Sequence, residues 1–208
     1  MNNSFDRSKH VFHSDAFAEI IKDTIRFFNG TPVHTLPPPE NFVGAGVYAL
    51  YYIGKCPYYR PLYDINRTSF SQPIYVGKAV PRGWRQARAQ VSSNELYSRL
   101  NDHYRSISAA RNLNVDDFMC RFIILEDAAS DMIGTVEASL IRQYKPIWNN
   151  MIDGFGNHTP GKGRFNQARS DWDVLHPGRE WAAKCTGRAA SVLEVEQKVK
   201  DYFGTYDK

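Results

Sequence analysis

The sequence predicts an α+β protein in which a small, mainly antiparallel three-stranded sheet is flanked by helices. Three short segments rich in β-branched and aromatic residues predict the strands. Four longer segments with apolar residues three or four positions apart predict the helices. The strands are expected near 46–53, 74–77 and 118–125, and the helices near 14–30, 94–110, 131–144 and from 191 to the end.

Composition favours one globular domain over residues 1–208, because 42% of the residues are hydrophobic and 13% are aromatic. Residues 1–13 are polar, which argues against a signal peptide. The longest weakly polar run, residues 43–54, is too short to span a bilayer. Three widely spaced cysteines match neither a zinc site nor a disulfide framework. We therefore expect reduced thiols and a cytoplasmic protein that makes no use of a membrane.

The N-terminal part, residues 1–41, is expected to form a helix and a connector. Ser14 is a suitable N-cap for the first helix, and Gly30 is a suitable stop. The next residues include Pro32 and the run 37–39 of three prolines, which cannot continue a helix or a central strand. The sequence therefore predicts an extended connector before the first strand.

A long insertion is expected between the first two strands, because residues 54–73 carry three prolines and many polar residues. The last predicted core helix must end near Pro146. Four glycines within 151–164 predict a loop. In the final helix Ser191 is followed three residues later by Glu194, the pattern of a capping box. Residues 151–208 form a C-terminal extension.

The charge pattern is compatible with a phosphate-bearing partner, although the whole chain carries a formal charge of only +4. Basic residues outnumber acidic ones in two stretches, 78–105 and 162–188, which also contain Trp or Tyr. A solvated basic surface is the ordinary alternative. The candidate DNA-binding residues are Lys78, Arg82, Arg85, Arg88, Arg164, Arg169, Arg179, Lys184 and Arg188.

Five side chains are better explained by chemistry than by packing. Tyr48 and Tyr75 lie on the first two predicted strands, and Arg99 and His103 share one face of the following helix. Glu137 lies among the apolar residues of its helix, where a lone carboxylate is costly unless it meets a cation or a metal. Each residue alone has an ordinary explanation as core or solvated surface, and the inference depends on their order.

In that order the residues resemble the GIY-YIG nuclease family. Gly46-Val47-Tyr48 resembles the first half of the motif, and Tyr75-Val76-Gly77-Lys78 the second. Arg99 and His103 resemble the helix that follows, and Glu137 resembles the metal-binding glutamate of the next helix. Asn149 resembles the asparagine of the closing Pro-x-x-Asn, with a plain helix C-cap as its alternative. The resemblance covers residues 42–150, the expected catalytic core with its insertion 49–74.

A competing match lies inside the first strand, where Tyr52-Ile53-Gly54 spells the second half of the motif more closely. Only three residues, 49–51, separate Tyr52 from Tyr48, which leaves no room for a turn and a second strand. We therefore assign Tyr75 to the second half of the motif. The insertion 49–74 is then longer than the connection usual in the family.

The length and the decorated core are similar to type II restriction endonucleases of the family, in particular to one that cuts the GC-rich palindrome CCGCGG. The resemblance implies metal-dependent hydrolysis of double-stranded DNA at a short GC-rich palindrome. A structure-specific repair or homing nuclease of the same family is the alternative. A DNA-binding module without activity is a third reading, disfavoured because all five ionisable residues are present.

The resemblance also implies roles for the site residues. Glu137 would hold one divalent metal, most plausibly Mg²⁺. Arg99 would bind a phosphate oxygen, and His103 would accept a proton or orient a phenol. A tyrosine is a poor base unless positive charge lowers its pKa. Tyr48 and Tyr75 are both candidates for the general base, with Tyr48 preferred.

Cutting both strands of a palindrome implies two active sites related by a two-fold axis, which a C₂ homodimer supplies. The N-terminal helix, the insertion and the C-terminal extension are candidates for dimer contacts and base readout. The basic residues of 162–188 are candidate readers of guanine, and phosphate contacts are equally compatible with each of them.

Overall fold

A four-stranded antiparallel sheet lies at the centre of the protein, described here by a computed structural model over residues 5–81, 94–161 and 164–204. Its strands are β1 (Val33–Thr35), β2 (Gly46–Tyr52), β3 (Tyr75–Ala79) and β4 (Phe118–Ile124). The spatial order is β1-β4-β2-β3, and each neighbouring pair is antiparallel. The α+β class and the three predicted strands are confirmed.

Helices cover both faces of the sheet. Short 3-10 turns precede several of them. The α-helices are α1 (Asp15–Gly30), α2 (Arg60–Asn66), α3 (Glu95–Ala109), α4 (Ile133–Tyr144), α5 (Ile147–Asn150), α6 (Asp171–Leu175), α7 (Glu180–Ala183) and α8 (Val192–Gly204). No helix within the described residues is long and apolar enough to cross a membrane.

Two predicted helix starts are confirmed in atomic detail. The Ser14 hydroxyl accepts a hydrogen bond of 3.2 Å from the backbone N–H of Phe17. Ser191 and Glu194 form the predicted capping box: the Glu194 carboxylate accepts from the Ser191 N–H at 2.7 Å, and the Ser191 hydroxyl accepts from the Glu194 N–H at 3.2 Å. Both caps satisfy N–H groups that a helix cannot pair internally.

The connector after α1 is not wholly irregular, because it contains the edge strand β1. Val33 pairs with Arg121 and Thr35 with Met119 in β4. Only three residues are involved, and prolines lie just before and after them, where an edge strand tolerates them. The strand is too short for a period-2 pattern to be recognised in the sequence.

The insertion between β2 and β3 is part of the hydrophobic core, and it contains α2. Tyr59 and Leu62 are fully buried in it. The Asn66 side chain links the two ends of the insertion. Its amide nitrogen donates to the carbonyls of Tyr52 at 3.1 Å and Gln72 at 2.9 Å, and its oxygen accepts from the Gln72 N–H at 3.1 Å. The prediction of a loop-rich segment missed this helix, because prolines at 57 and 61 occupy first-turn positions that helices accept.

Strand β2 divides the core, since all seven of its residues are buried. Tyr48, Leu50 and Tyr52 face one hydrophobic cluster, which includes residues of α3, α5, α6 and α8. Val47, Ala49 and Tyr51 face the other, against α1 and α4. Alternating side chains of a strand point to opposite faces of a sheet, so β2 brings Tyr48 to the side of α3.

Candidate active site

Tyr48 and Tyr75 meet where β2 pairs with β3. Tyr48 lies directly opposite Gly77, and the rings of Tyr48 and Tyr75 are 6.2 Å apart between centroids. A Cβ atom at position 77 would lie 2.4 Å from the Tyr48 hydroxyl oxygen. Glycine is therefore needed at this position because the phenol of Tyr48 lies against the strand.

Helix α3 places His103 against the phenol of Tyr48. The Tyr48 hydroxyl lies 2.5 Å from the Nε2 atom of His103, and the two residues are 0% and 2% exposed. Burial lowers the pKa of His103 well below its usual range. Electrostatic repulsion from the nearby Arg99, His158 and Arg179 lowers this pKa further. The imidazole is therefore neutral at neutral pH, and its Nε2 atom can accept a hydrogen bond from the Tyr48 hydroxyl.

Both tyrosines have raised pKa values in the free protein. Burial is the largest cause for Tyr48 and for Tyr75, while the Arg99 guanidinium opposes it at both. The loss of solvation therefore raises the pKa of both phenols by more than the positive charge of Arg99 lowers it. A phenol in this setting acts as a base only if its own proton has an acceptor, and His103 provides one for Tyr48.

Arg99 is held by a loop of the C-terminal extension. One of its terminal nitrogens, Nη2, donates to the carbonyl of Gly156 at 2.9 Å, and the other, Nη1, bonds to Nε2 of His158. A Cβ atom at position 156 would lie 2.7 Å from the Tyr75 hydroxyl and 3.4 Å from Nη2 of Arg99. Gly156 is thus required by the close approach of both site residues.

Glu137 of α4 faces the site beside Lys78 of β3. Its Oε2 atom is 2.5 Å from the Lys78 ammonium, and the two side chains are 18% and 36% exposed. The sequence predicts a cation or a metal beside this carboxylate, and the structure places the Lys78 ammonium there. Lys78 was expected to be a DNA contact. Within the described residues no group of three or more His, Cys, Asp or Glu side chains could together hold a metal.

Asn149 fixes the strand that carries Tyr75. Its side-chain oxygen accepts from the backbone N–H of Val76, and its amide donates to the Val76 carbonyl, both at 2.8 Å. The alternative role as a helix C-cap is not what the structure shows: Lys145 caps α4 in a left-handed conformation, and Met151 follows α5. Asn149 therefore orients the site by extending the hydrogen bonding of β3.

The competing tyrosine, Tyr52, lies in the core. Its ring packs edge-on against Tyr59 and Phe118, with centroids 5.5 and 5.0 Å apart, and its hydroxyl accepts from the backbone N–H of Cys56 at 2.8 Å. Tyr75, in contrast, contacts the ring of His103 at 5.2 Å. Tyr75 therefore lies beside Tyr48 and His103, as expected of the second half of the motif, and Tyr52 packs elsewhere in the core.

Exchanging each of these tyrosines for Phe tests the assignment. We expect Tyr75→Phe to lower a cleavage rate on the order of 10²-fold, the usual effect of a positioned polar group at a reacting centre. Tyr52→Phe should cost about 1 kcal/mol of stability, from the lost acceptor for Cys56, and leave the rate unchanged. Single-turnover cleavage and thermal unfolding of both variants are the measurements. The opposite ranking would place residues 55–77 outside the catalytic hairpin.

The predicted basic residues divide into several groups. Arg82, Arg85 and Arg88 lie outside the described residues. Arg164 lines a cleft with His158, while Arg169 and Arg188 line a second cleft, and the two clefts share Asn157 and Gln167. Lys184 is exposed next to α7.

Arg179 requires a correction, because it was predicted as a DNA contact and is 5% exposed. Its guanidinium is paired with Asp173 in the interior. A side chain in this position has no surface with which to reach a base or a phosphate. No local pattern indicates this burial, because an arginine in a basic stretch resembles its exposed neighbours.

Sequence reasoning also missed His158 and Phe155, which contact Arg99 and His103. The two rings of Phe155 and His103 are stacked, 4.6 Å apart with an interplanar angle of 17°. Both residues lie in a glycine-rich loop without periodicity, so no local pattern singles them out. Only the glycines at 154 and 156, which permit close approaches, hint that the loop contacts something specific.

The chain matches a known protein family over most of its length. Residues 40–203 match the family model described as the Eco29kI GIY-YIG domain. No curated protein matches the chain. The matched range contains the paired tyrosines, Arg99, His103, Glu137 and Asn149, and also the loop of the C-terminal extension that holds Arg99.

Proposed function

Because the chain belongs to the Eco29kI GIY-YIG family of restriction endonucleases, we propose that it is a type II enzyme that cuts both strands of DNA at a short GC-rich palindrome. The observation that carries this proposal is the buried Tyr48–His103 pair beside Arg99 and Glu137. These groups supply a proton acceptor, a phosphate ligand and a metal ligand at one end of the β2–β3 hairpin.

Proton transfer begins at Tyr48. A water molecule attacks the phosphorus atom, its proton passes to the Tyr48 oxygen, and the Tyr48 proton passes to Nε2 of His103. The bond between phosphorus and the 3′ oxygen breaks, and the leaving oxygen takes a proton from solvent. Tyr48 suits the role of base better than Tyr75, because its hydroxyl lies 2.5 Å from a neutral imidazole.

Glu137 is the residue that would hold the metal, and its chemistry fits Mg²⁺. A single carboxylate is a normal protein contribution to Mg²⁺, which keeps several waters and takes further oxygens from substrate phosphates. The bound ion would stabilise negative charge on the phosphate and on the leaving oxygen. In the free protein the Glu137 carboxylate forms an ion pair with the neighbouring Lys78 ammonium.

Arg99 would bind and orient the phosphate to be cleaved. Its guanidinium keeps a full positive charge, and two of its N–H groups are used by Gly156 and His158. The remaining N–H groups can donate to a phosphate oxygen. Because protein acceptors hold two of the guanidinium N–H groups, the remaining N–H groups point in a defined direction. This favours a single orientation of the bound phosphate.

The duplex would pass from this site along the two neighbouring clefts. Arg164, Arg169 and Arg188 line them, and His158 connects the first cleft to Arg99. These arginines remain our candidates for readout, in the major groove or through phosphates. The catalytic groups face a phosphodiester and carry little sequence information, so specificity must come from the added segments.

A C₂ homodimer is proposed to cut both strands, and helix α1 offers a surface for it. Ile21, Ile25 and Phe28 pack against the core, whereas Ile20 and Phe27 on the adjacent side are 50% and 67% exposed. Two large apolar side chains on one exposed helix side favour contact with another apolar surface. A second copy of the chain would bury them and supply the second active site.

Ile20→Glu tests the dimer. We expect this variant to be monomeric at concentrations where the wild-type protein is dimeric, because the interface cannot bury a carboxylate cheaply. Its product from a supercoiled plasmid should be mainly nicked circles, while the wild-type protein should give linear DNA. Lys22→Glu, on the polar side of α1, is the control. A monomeric wild-type protein, or linear product from monomeric Ile20→Glu, would contradict the dimer.

Plasmid cleavage also separates the candidate functions. With Mg²⁺ a type II enzyme should produce discrete linear fragments, and chelation of the metal by EDTA should stop the reaction. A repair or homing nuclease of the same family would show a preference for branched DNA or a much longer site. Binding without any cleavage would leave only a DNA-binding module and would end the proposal.

A further inference from the structure

Arg179 is bound by an unusually complete set of partners. Its Nε and Nη2 atoms each donate to Asp173, both at 2.7 Å. Its remaining N–H groups donate to the carbonyls of Gly154 at 2.9 Å, Phe155 at 3.1 Å and Asn157 at 3.2 Å. These contacts use all five donors of the guanidinium. We call Asp173 and Arg179 the clamp, and residues 154–158 the site loop.

The surroundings of the clamp fix its orientation. The guanidinium lies between the rings of Trp172 and Trp181, 4.6 and 4.7 Å from their centroids. The Asp173 carboxylate also accepts from the Ser170 hydroxyl at 2.7 Å. A buried ion pair adds little net stability compared with apolar residues of the same size. Its value here lies in the geometry that it imposes on three carbonyls of the site loop.

The site loop contacts the catalytic groups directly. Phe155 stacks on His103 at 4.6 Å and meets the ring of Tyr75 edge-on at 4.9 Å. The Gly156 carbonyl and the His158 ring both bind the Arg99 guanidinium. The same segment that Arg179 holds by its carbonyls therefore supports three members of the site.

We propose that the clamp positions Arg99 and His103 through the site loop, so that Asp173 and Arg179 are positioning residues for DNA cleavage although neither touches DNA. The inference rests on the proposed nuclease function. It gives the C-terminal extension a role in the chemical step, in addition to any role in readout.

Arg179→Lys is the first test. Lysine keeps the positive charge for Asp173 but cannot reach three loop carbonyls with a planar fork. We expect single-turnover cleavage to slow on the order of 10²-fold, the effect of a small misplacement of reacting groups. DNA affinity should stay within about threefold, because the exposed arginines of the clefts are unchanged. A loss of affinity with an unchanged rate would overturn the inference.

A control separates positioning from simple loss of stability. Val195 is fully buried in α8 and belongs to neither the clamp nor the site loop, and Val195→Ala is expected to lower stability by about 1 to 3 kcal/mol. Measured well below both unfolding temperatures, Val195→Ala should cleave at the wild-type rate. Equal slowing in Val195→Ala and Arg179→Lys would show that the clamp acts only through stability.

A double-mutant cycle tests whether the clamp acts through Arg99. If it does, adding Arg179→Lys to Arg99→Ala should cost much less than the same change costs in the wild-type protein. If the effects of the two substitutions were fully additive, the clamp would not act through Arg99.

A final readout does not depend on cleavage. Burial and the neighbouring Arg99 lower the pKa of His158. If Arg179→Lys releases the site loop, an NMR titration should show the His158 pKa rising towards its ordinary value. An unchanged His158 pKa in the variant would overturn the clamp. A wild-type protein that cuts no DNA would overturn the proposed function instead, so the two failures are distinguishable.

Discussion

Glu137→Gln is expected to abolish cleavage, with a loss of rate on the order of 10³-fold or more, while DNA binding survives. The substitution keeps the size and shape of the side chain but removes the charge that would hold the metal. A bound metal contributes several kcal/mol to the transition state, and each 1.4 kcal/mol is about a factor of ten in rate. We attribute DNA affinity to the arginines that line the clefts, which the substitution leaves intact.

Cleavage by Glu137→Gln is best measured under single-turnover conditions over a range of Mg²⁺ concentrations. Glu126→Gln, at an exposed carboxylate just before the turn that leads into α4, is the matched control and should behave like the wild-type protein. Substantial Mg²⁺-dependent cleavage by Glu137→Gln would remove Glu137 from the metal site.

Tyr48→Phe should have the second largest effect. It removes the proposed base, and a proton-transfer group of this kind contributes about 10²- to 10⁴-fold to the rate. It also leaves Nε2 of the buried His103 without its partner, which should cost about 1 to 3 kcal/mol of stability. Both effects follow from the one contact of 2.5 Å between the two side chains.

The chain provides a closely matched control for Tyr48→Phe. Tyr59 makes the same kind of buried pair, with its hydroxyl 2.5 Å from Nε2 of His176, and burial lowers the pKa of His176 to about 3. The Tyr59 hydroxyl also accepts from the indole N–H of Trp148 at 2.9 Å. Tyr59→Phe should therefore lose at least as much stability and keep the wild-type cleavage rate. A Tyr48→Phe variant that cleaves within tenfold of the wild-type rate would exclude Tyr48 as the base.

The elements that could be predicted are those with strong local patterns. The apolar strands β2 and β4 and the helices α1, α3 and α4 have the expected periodicity, and Ser14 and Ser191 cap helices as predicted. The missed elements β1, α2, α5, α6 and α7 have three to seven residues each. Such short elements are stabilised by what they pack against, so their own sequence carries little signal.

The site was predictable in part for the same reason. Tyr48, Tyr75 and the α3 pair follow one another at spacings that a hairpin and a helix bring together. The clamp and His158 are different, because their partners are distant in the sequence. Arg179 binds carbonyls of the site loop 22 to 25 positions away, and His158 binds Arg99 59 positions away. An arginine that will be buried and one that will face DNA look alike until the fold is known.

Both ends of every fragment can be mapped after digestion of DNA of known sequence. We expect all cuts to fall at one short GC-rich palindrome, at symmetric positions on the two strands. Cuts scattered over unrelated sequences, or confined to branched or damaged DNA, would contradict it.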